Sequence, residues 1–136
     1  MSFVRTWTVR FSDTDPFGIA HYPRMIDAVH ETSDMFMEAI GWPYWELHDR
    51  HGLGLPLVSM DFDFQGQVAG GDEVAIGLEA NVGNSSVEFD YHATHDGETV
   101  FEGTEHRVCV PVGADRSVAV PADLRSALEE GDPDSR

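Results

Sequence analysis

Two aspartates stand out for their spacing and for the residues that come after them. The segment Ser12-Asp13-Thr14-Asp15-Pro16-Phe17-Gly18 runs into Ile19-Ala20-His21-Tyr22-Pro23. Turn-forming residues end there and a helical pattern begins, with Pro23 in the first turn, where its missing N–H costs nothing. A carboxylate beside a helix N-terminus has a chemical use. It serves as a general base toward water, or as a nucleophile, against an acyl carbonyl. The charge that develops on the carbonyl oxygen is then met by the first backbone N–H groups and the helix dipole. In that reading the Tyr22 N–H is the oxyanion donor, because Pro23 has none to give, and Gly18 lets the backbone turn tightly beside the reacting group. The same spacing also describes a plain turn in which Asp15 caps neighbouring N–H groups. Spacing alone leaves both readings standing.

These residues need elements to hold them. Residues 3–11 alternate as a strand, with Phe3, Trp7, Val9 and Phe11 on one side and Arg5 interrupting that side. From Tyr22, the residues Met25, Ile26, Val29, Ser33, Phe36, Met37 and Ile40 recur at helical spacing, opposite an acidic stripe of Asp27, Glu31, Asp34 and Glu38. Gly41 and Pro43 end this long helix. Four alternating runs come next. They cover Val58–Phe64, Val74–Val82, Val87–Ala93 and about Thr99 to Pro111, with Val58, Met60, Phe62 and Phe64 on one side of the first. The connections are short, and Asp96-Gly97 is a hairpin signal that needs positive φ at both positions. A short helix is expected after Pro121. The expected class is α+β, with one long helix packed on an antiparallel sheet.

Length and composition bound the rest. The 136 residues suit one domain, expected over 1–130, with 131–136 as a disordered tail. No apolar run is long enough for a membrane span, and the N-terminus lacks the pattern of a signal peptide, so the expected location is cytoplasmic. Cys109, the single cysteine, lies in an apolar stretch and reads as a buried inert thiol. There are 25 acidic residues against 8 basic ones, for a net charge of −17, and every basic residue is arginine. Such a surface excludes nucleic acid and anionic membranes as partners. It also suggests salt adaptation like that of halophilic archaeal proteins, since molar salt screens self-repulsion. His48, Asp49 and His51 match no metal-ligand spacing and read as loop residues. His92, His95 and His106 read as strand-surface residues. Glu31 falls in the acidic stripe. No serine elbow, phosphate loop or dinucleotide fingerprint is present.

The segment from Asp13 to Pro23 resembles the signature of the 4-hydroxybenzoyl-CoA thioesterase family within the hot-dog superfamily. That signature is a strand, then Asp-x-Asp-x-x-Gly-[Ile/Val]-[Val/Ala], then aromatic or histidine residues and a long central helix. Asp13, Asp15, Gly18, Ile19, Ala20, Tyr22 and Pro23 match in place. Val82-Gly83-Asn84-Ser85-Ser86-Val87 resembles the family's Val-Gly-x-Ser-Ser-Val strand opening. The resemblance covers nearly the whole chain and implies a hot-dog fold, the long helix wrapped by a curved antiparallel sheet. It implies an acyl-CoA thioesterase with Asp15 as catalytic carboxylate, Tyr22 as oxyanion site, and Gly18, Ile19, His21, Asn84 and Ser85 near substrate. It implies no metal or bound cofactor, and a homodimer or homotetramer with sites at the subunit interface. Two departures stand out. His21 precedes Tyr22, where many relatives place an aromatic before histidine, and Asn84 stands where relatives are often basic. Arg24, Arg107 and Arg116 are then the candidates to hold the CoA phosphates. The rival readings are a hot-dog hydratase or dehydratase of hydroxyacyl thioesters, which would pair His21 with Asp15, and a non-catalytic acyl-CoA binding module.

Overall fold

The computed structural model describes residues 3–131; the expected disordered tail lies almost wholly outside them. The chain runs β1 (Phe3–Thr8), a 3-10 turn (Phe11–Asp13), α1 (Tyr22–Ala39), α2 (Tyr44–Asp49), β2 (Leu53–Gly54) and β3 (Leu57–Phe64). It continues through β4 (Glu73–Val82), β5 (Ser86–His95), β6 (Glu98–Val108), β7 (Val110–Pro111) and α3 (Ala122–Glu130). Five strands form one antiparallel sheet in the order β1-β4-β5-β6-β3, and β2 pairs with β7.

The alternation along β4 and β5 sends Val74, Ile76 and Leu78, and Val87, Phe89, Tyr91 and Ala93, to the inner face, where all are buried. Onto that face α1 lays Met25, Ala28, Val29, Phe36 and Met37. The Phe36 ring meets Phe3 at 5.7 Å and Phe89 at 5.8 Å between centroids, both edge-on, contacts of about 0.5–1.5 kcal/mol beyond their burial. Arg5 explains its own intrusion into an apolar face. Its guanidinium reaches α1, donating to Thr32 Oγ1 (3.0 Å), Glu31 Oε1 (3.1 Å) and the Ala28 carbonyl (3.1 Å). Burial lowers its pKa, with Glu31 opposing. The Asp96-Gly97 hairpin takes positive φ at both residues, 50° and 81°.

Four expectations are corrected. The first strand stops at Thr8, and Phe11, expected to face inward, opens the 3-10 turn with 91% of its surface exposed. The fourth run breaks at buried Cys109, after which β7 turns away to pair with β2. His48 and Asp49 lie in α2 rather than a loop; Leu47 anchors that short helix in the core. The β3 alternation buries nothing fully. Only Phe62 is half-buried, because β3 is the sheet edge beyond β6 and has no strand on its far side.

Candidate active site

The loop between β1 and α1 is folded back on itself by its own backbone. Thr14 pairs with Ala20, the His21 N–H donates to the Asp13 carbonyl (2.8 Å), and the Asp15 N–H donates to the Ile19 carbonyl (2.9 Å). Ile19 also bridges Ala69, and the Ala20 N–H reaches the Val68 carbonyl (2.7 Å), which pins the loop to the segment leading into β4. Inside it, the Gly18 N–H donates to the Asp15 carbonyl (2.9 Å), and Gly18 holds φ at +79°, a value that favours glycine.

Each of the two aspartates accepts one backbone N–H. Asp13 Oδ2 accepts the Arg10 N–H (2.8 Å) and closes the 3-10 turn. Asp15 Oδ1 accepts the Phe17 N–H (2.9 Å), while Oδ2 has no donor among the described residues. The capping and chemical readings of Asp15 are therefore compatible: one oxygen fixes the side chain and the other is free. Asp15 is half-buried, while Phe17 beside it is 87% exposed.

The first turn of α1 offers the complementary feature. Pro23 comes directly after Tyr22, and the Arg24 N–H bonds to the His21 carbonyl (2.9 Å). The Tyr22 N–H has no acceptor among the described residues, and it stands at the positive end of an 18-residue helix. The His21 ring is exposed and packs edge-on against Tyr22 (5.5 Å); the Tyr22 ring in turn meets Phe64 of β3 (6.3 Å).

Asn84 and Ser85 are elsewhere. They form the β4–β5 turn, where the Asn84 carbonyl accepts the Val120 N–H (2.9 Å) and the Ser85 carbonyl accepts the Cys109 N–H (2.8 Å). Ile19 is bridged beside the start of β4, so this turn lies a full strand away, roughly 30 Å at the usual rise. One chain does not bring these two groups together. Among the arginines, Arg24 and Arg116 are exposed, whereas Arg107 is buried and engaged, so it is not available to a phosphate in solvent. Glu31 is exposed and paired with Arg5. His48 pairs with Asp49 (2.8 Å), and the His51 ring packs at a tilt against Trp42 (4.4 Å between centroids).

Sequence reasoning missed a polar cluster inside the molecule. Glu105 and Arg107, 3% and 5% exposed, point inward from β6. Arg107 contacts Glu105 Oε2 (3.3 Å) and donates to the Leu55 carbonyl (2.9 Å), while Tyr91 donates to Glu105 Oε1 (2.6 Å). The Arg107 guanidinium also lies over the Tyr44 and Phe89 rings, 5.6 and 5.8 Å from their centroids. Burial, reinforced by Glu105, drives the Tyr91 hydroxyl well above its ordinary pKa. Burial opposes the Arg107 charge, and Tyr44, Glu105 and Tyr91 together outweigh it, so its pKa is raised. The available signal was register: Glu105 and Arg107 are in phase with buried Phe101 and Cys109.

Beside this cluster, a cavity of about 420 Å³ opens between α1 and β3, lined by Ile26, Asp27 and His30 on the helix and by Leu57, Met60, Glu105 and Arg107 on the sheet. Two further depressions lie on the outer sheet face; one is lined mainly by Asp61, Asp63, Glu88, Asp90 and Glu102. Among the described residues no group of three or more His, Cys, Asp and Glu is placed to hold a metal, and no helix is long and apolar enough to cross a membrane.

A long helix laid on an antiparallel sheet defines a hot-dog fold, and the relatives of the chain are thioester hydrolases. The chain belongs to the Thioesterase-like superfamily, whose family model matches residues 9–128. A 1,4-dihydroxy-2-naphthoyl-CoA hydrolase of Synechococcus elongatus is 25% identical to it over 123 residues, covering 89% of this chain and 90% of the relative. Among solved structures, a 1,4-dihydroxy-2-naphthoyl-CoA thioesterase from Synechocystis superposes with a TM-score of 0.87 at 18% identity, over 94% of this chain and 96% of its own. A gentisyl-coenzyme A thioesterase superposes with a TM-score of 0.80 at 27% identity, over 93% and 98% of the two chains.

Proposed function

We propose that this chain, acting as a single domain, hydrolyses an aromatic acyl-CoA to a carboxylic acid and free CoA. The observation that carries the reading is the pairing of two unengaged groups, the Asp15 Oδ2 and the Tyr22 N–H, at the two sides of one folded-back loop. The thioester carbonyl oxygen would sit at the Tyr22 N–H. Asp15 would then either take a proton from an attacking water or attack the carbonyl carbon itself to form an anhydride that water opens. In both routes the C–S bond breaks and CoA leaves as the thiolate, which takes up a proton. The oxyanion lies where a backbone donor and the helix dipole already point, a contribution of about 3 kcal/mol for one such donor. Gly18, Ile19 and His21 border the site. The aromatic character of the acyl group is supported by the names of the similar proteins, one acting on a dihydroxynaphthoyl-CoA and one on gentisyl-CoA.

Two features support a homodimer or homotetramer with sites at the subunit interface. The β3 edge exposes Leu57, Val58, Met60 and Phe64, and such an edge seeks a partner. Asn84 and Ser85, remote from Asp15 in one chain, would join it from a second copy. Arg24 and Arg116 are the remaining candidates for the CoA phosphates. Thiol release from benzoyl-, naphthoyl-, acetyl-, octanoyl- and palmitoyl-CoA tests the proposal. Turnover concentrated in the aryl members is expected. Turnover confined to the aliphatic members would overturn the substrate class, and crotonyl-CoA hydration without thiol release would overturn the reaction.

A further inference from the structure

The Asp15 loop leans on the turn that leads into β4. Ala69 pairs with Ile19, and the Val68 carbonyl accepts the Ala20 N–H (2.7 Å). The same turn is tied to the end of β1: the Gly71 N–H donates to the Val9 carbonyl (2.8 Å) and the Val9 N–H to the Asp72 carbonyl (2.9 Å). Asp72 closes the turn twice. Its N–H donates to the Ala69 carbonyl (3.0 Å), and its Oδ2 accepts the Ala69 N–H (2.8 Å). Asp72 therefore holds Ala69, Ala69 holds Ile19, and the Ile19 carbonyl accepts the Asp15 N–H (2.9 Å).

The group that faces the Asp72 carboxylate comes from the far end of β5. His95 Nε2 lies 3.7 Å from Asp72 Oδ2 and 3.4 Å from Asp96 Oδ2. On the other side of the ring, Nδ1–H donates to the Glu73 carbonyl (2.8 Å). A carbonyl only accepts, so the ring proton of neutral His95 belongs on Nδ1. A neutral ring would then turn the Nε2 lone pair toward two carboxylates, whereas an imidazolium turns an N–H toward them. The charged residues around the ring are all acidic: Asp72 and Glu73 at the entry to β4, Asp96 in the hairpin, and Glu98 opposite in the β5–β6 register. The bond to the Glu73 carbonyl, with Asp96 and Asp72 adding and burial opposing, raises the His95 pKa above its ordinary 6.5.

We propose that His95 is a positioning residue for the thioester site: as an imidazolium it holds Asp72, and through the 69–72 turn it sets the Asp15 loop. The proposal rests on the reading of Asp15 as the catalytic carboxylate. His95 itself touches no reacting atom. The hold is complete at low pH, where the ring is charged, and is lost as pH rises through the raised pKa of the folded state. A loosened turn displaces Asp15, and a misplacement of about 1 Å costs about a hundredfold in rate. The loss falls on kcat, with KM little changed.

The test uses two readouts from about pH 6 to about pH 9, the range in which a histidine titrates. One is kcat and KM for thiol release from an aryl-CoA. The other, which needs no turnover, is the hydrogen-exchange protection of the Asp15 and Ala20 amides measured by NMR. In the wild type, kcat and both protection factors are expected to fall together by about tenfold or more as pH rises. His95→Gln is expected to give the low values at every pH. His95→Arg, a cation that does not titrate in this range, is expected to keep the high values at every pH. His92→Gln, which removes a histidine paired with Glu102 on the same strand, is expected to follow the wild type. A His95→Arg profile that falls as the wild type does overturns the proposal. So does His95→Gln with wild-type kcat, or with wild-type protection of both amides. The expected exchange pattern without hydrolysis of any aryl-CoA leaves the hold of His95 on the loop standing and overturns the hydrolase reading instead.

Discussion

Asp15 and Glu105 are both carboxylates, yet their surroundings are opposites. Asp15 sits half-buried on a loop, with one oxygen held by a backbone N–H and the other unengaged. Glu105 is buried on a central strand, held by Tyr91 and Arg107. A group that must exchange protons or attack a carbonyl needs an accessible oxygen without a neutralising cation. A group that must fix a pocket wall needs the reverse. The contrast predicts that substitutions in the two regions separate cleanly, one set costing turnover and the other costing stability.

The sharpest way to break that contrast is to remove one member of the buried pair. Arg107→Ala strands Glu105 inside the protein and should cost about 3–5 kcal/mol of stability, read as a lowered urea midpoint. Retained stability would mean that the cluster is not the closed unit its distances describe. Removing the oxyanion donor comes next. Tyr22→Pro deletes the N–H at a position where helices accept proline. It should lower kcat by about a hundredfold to a thousandfold with helical circular dichroism preserved, whereas Tyr22→Ala, which keeps the N–H, should lose much less.

Smaller effects sharpen the buried side. Tyr91→Phe deletes a hydrogen bond to a charged acceptor and should cost about 1.5–3 kcal/mol. The Tyr91 pKa is raised by burial and by Glu105. The folded protein therefore keeps this proton where the unfolded chain, titrating near 10, releases it. Its contribution is complete below about pH 10 and erodes above it. Stability should fall as pH rises past about 10, and less steeply in Tyr91→Phe. The smallest effect concerns neither carboxylate. Screening of the net charge of −17 should raise the melting temperature in molar salt relative to low salt, and a fall would contradict salt adaptation.

Legibility in the sequence divides along the same line. The Asp15 loop is local: turn residues, proline and the onset of helical spacing are contiguous, so the motif and its helix can be read in a line. The alternation of β4 and β5 was equally plain, because both strands are central and covered by α1. Features that depend on remote partners were not readable. Met60 and Phe64 alternate as a covered strand would, but β3 is an edge, and alternation does not reveal what lies beside it. Glu105 and Arg107 look like surface residues until the register places them in phase with Phe101 and Cys109. Asp13 and Asp15 matched one motif, and only the fold shows which backbone N–H each accepts, that of Arg10 or that of Phe17. Asn84 and Ser85 matched the family pattern too, but the pattern carries no distance, and a whole strand separates them from Asp15.

The most direct test of the account compares Asp15→Asn with the wild type in two readouts on the same preparations: thiol release from an aryl-CoA at saturation, and the urea unfolding midpoint. The amide keeps an oxygen for the Phe17 N–H but supplies no carboxylate. The account predicts a kcat at least about a hundredfold lower with stability changed by less than about 1 kcal/mol. A variant that folds equally well and turns over within about tenfold of the wild type would contradict it, and would leave Asp15 as a turn residue only.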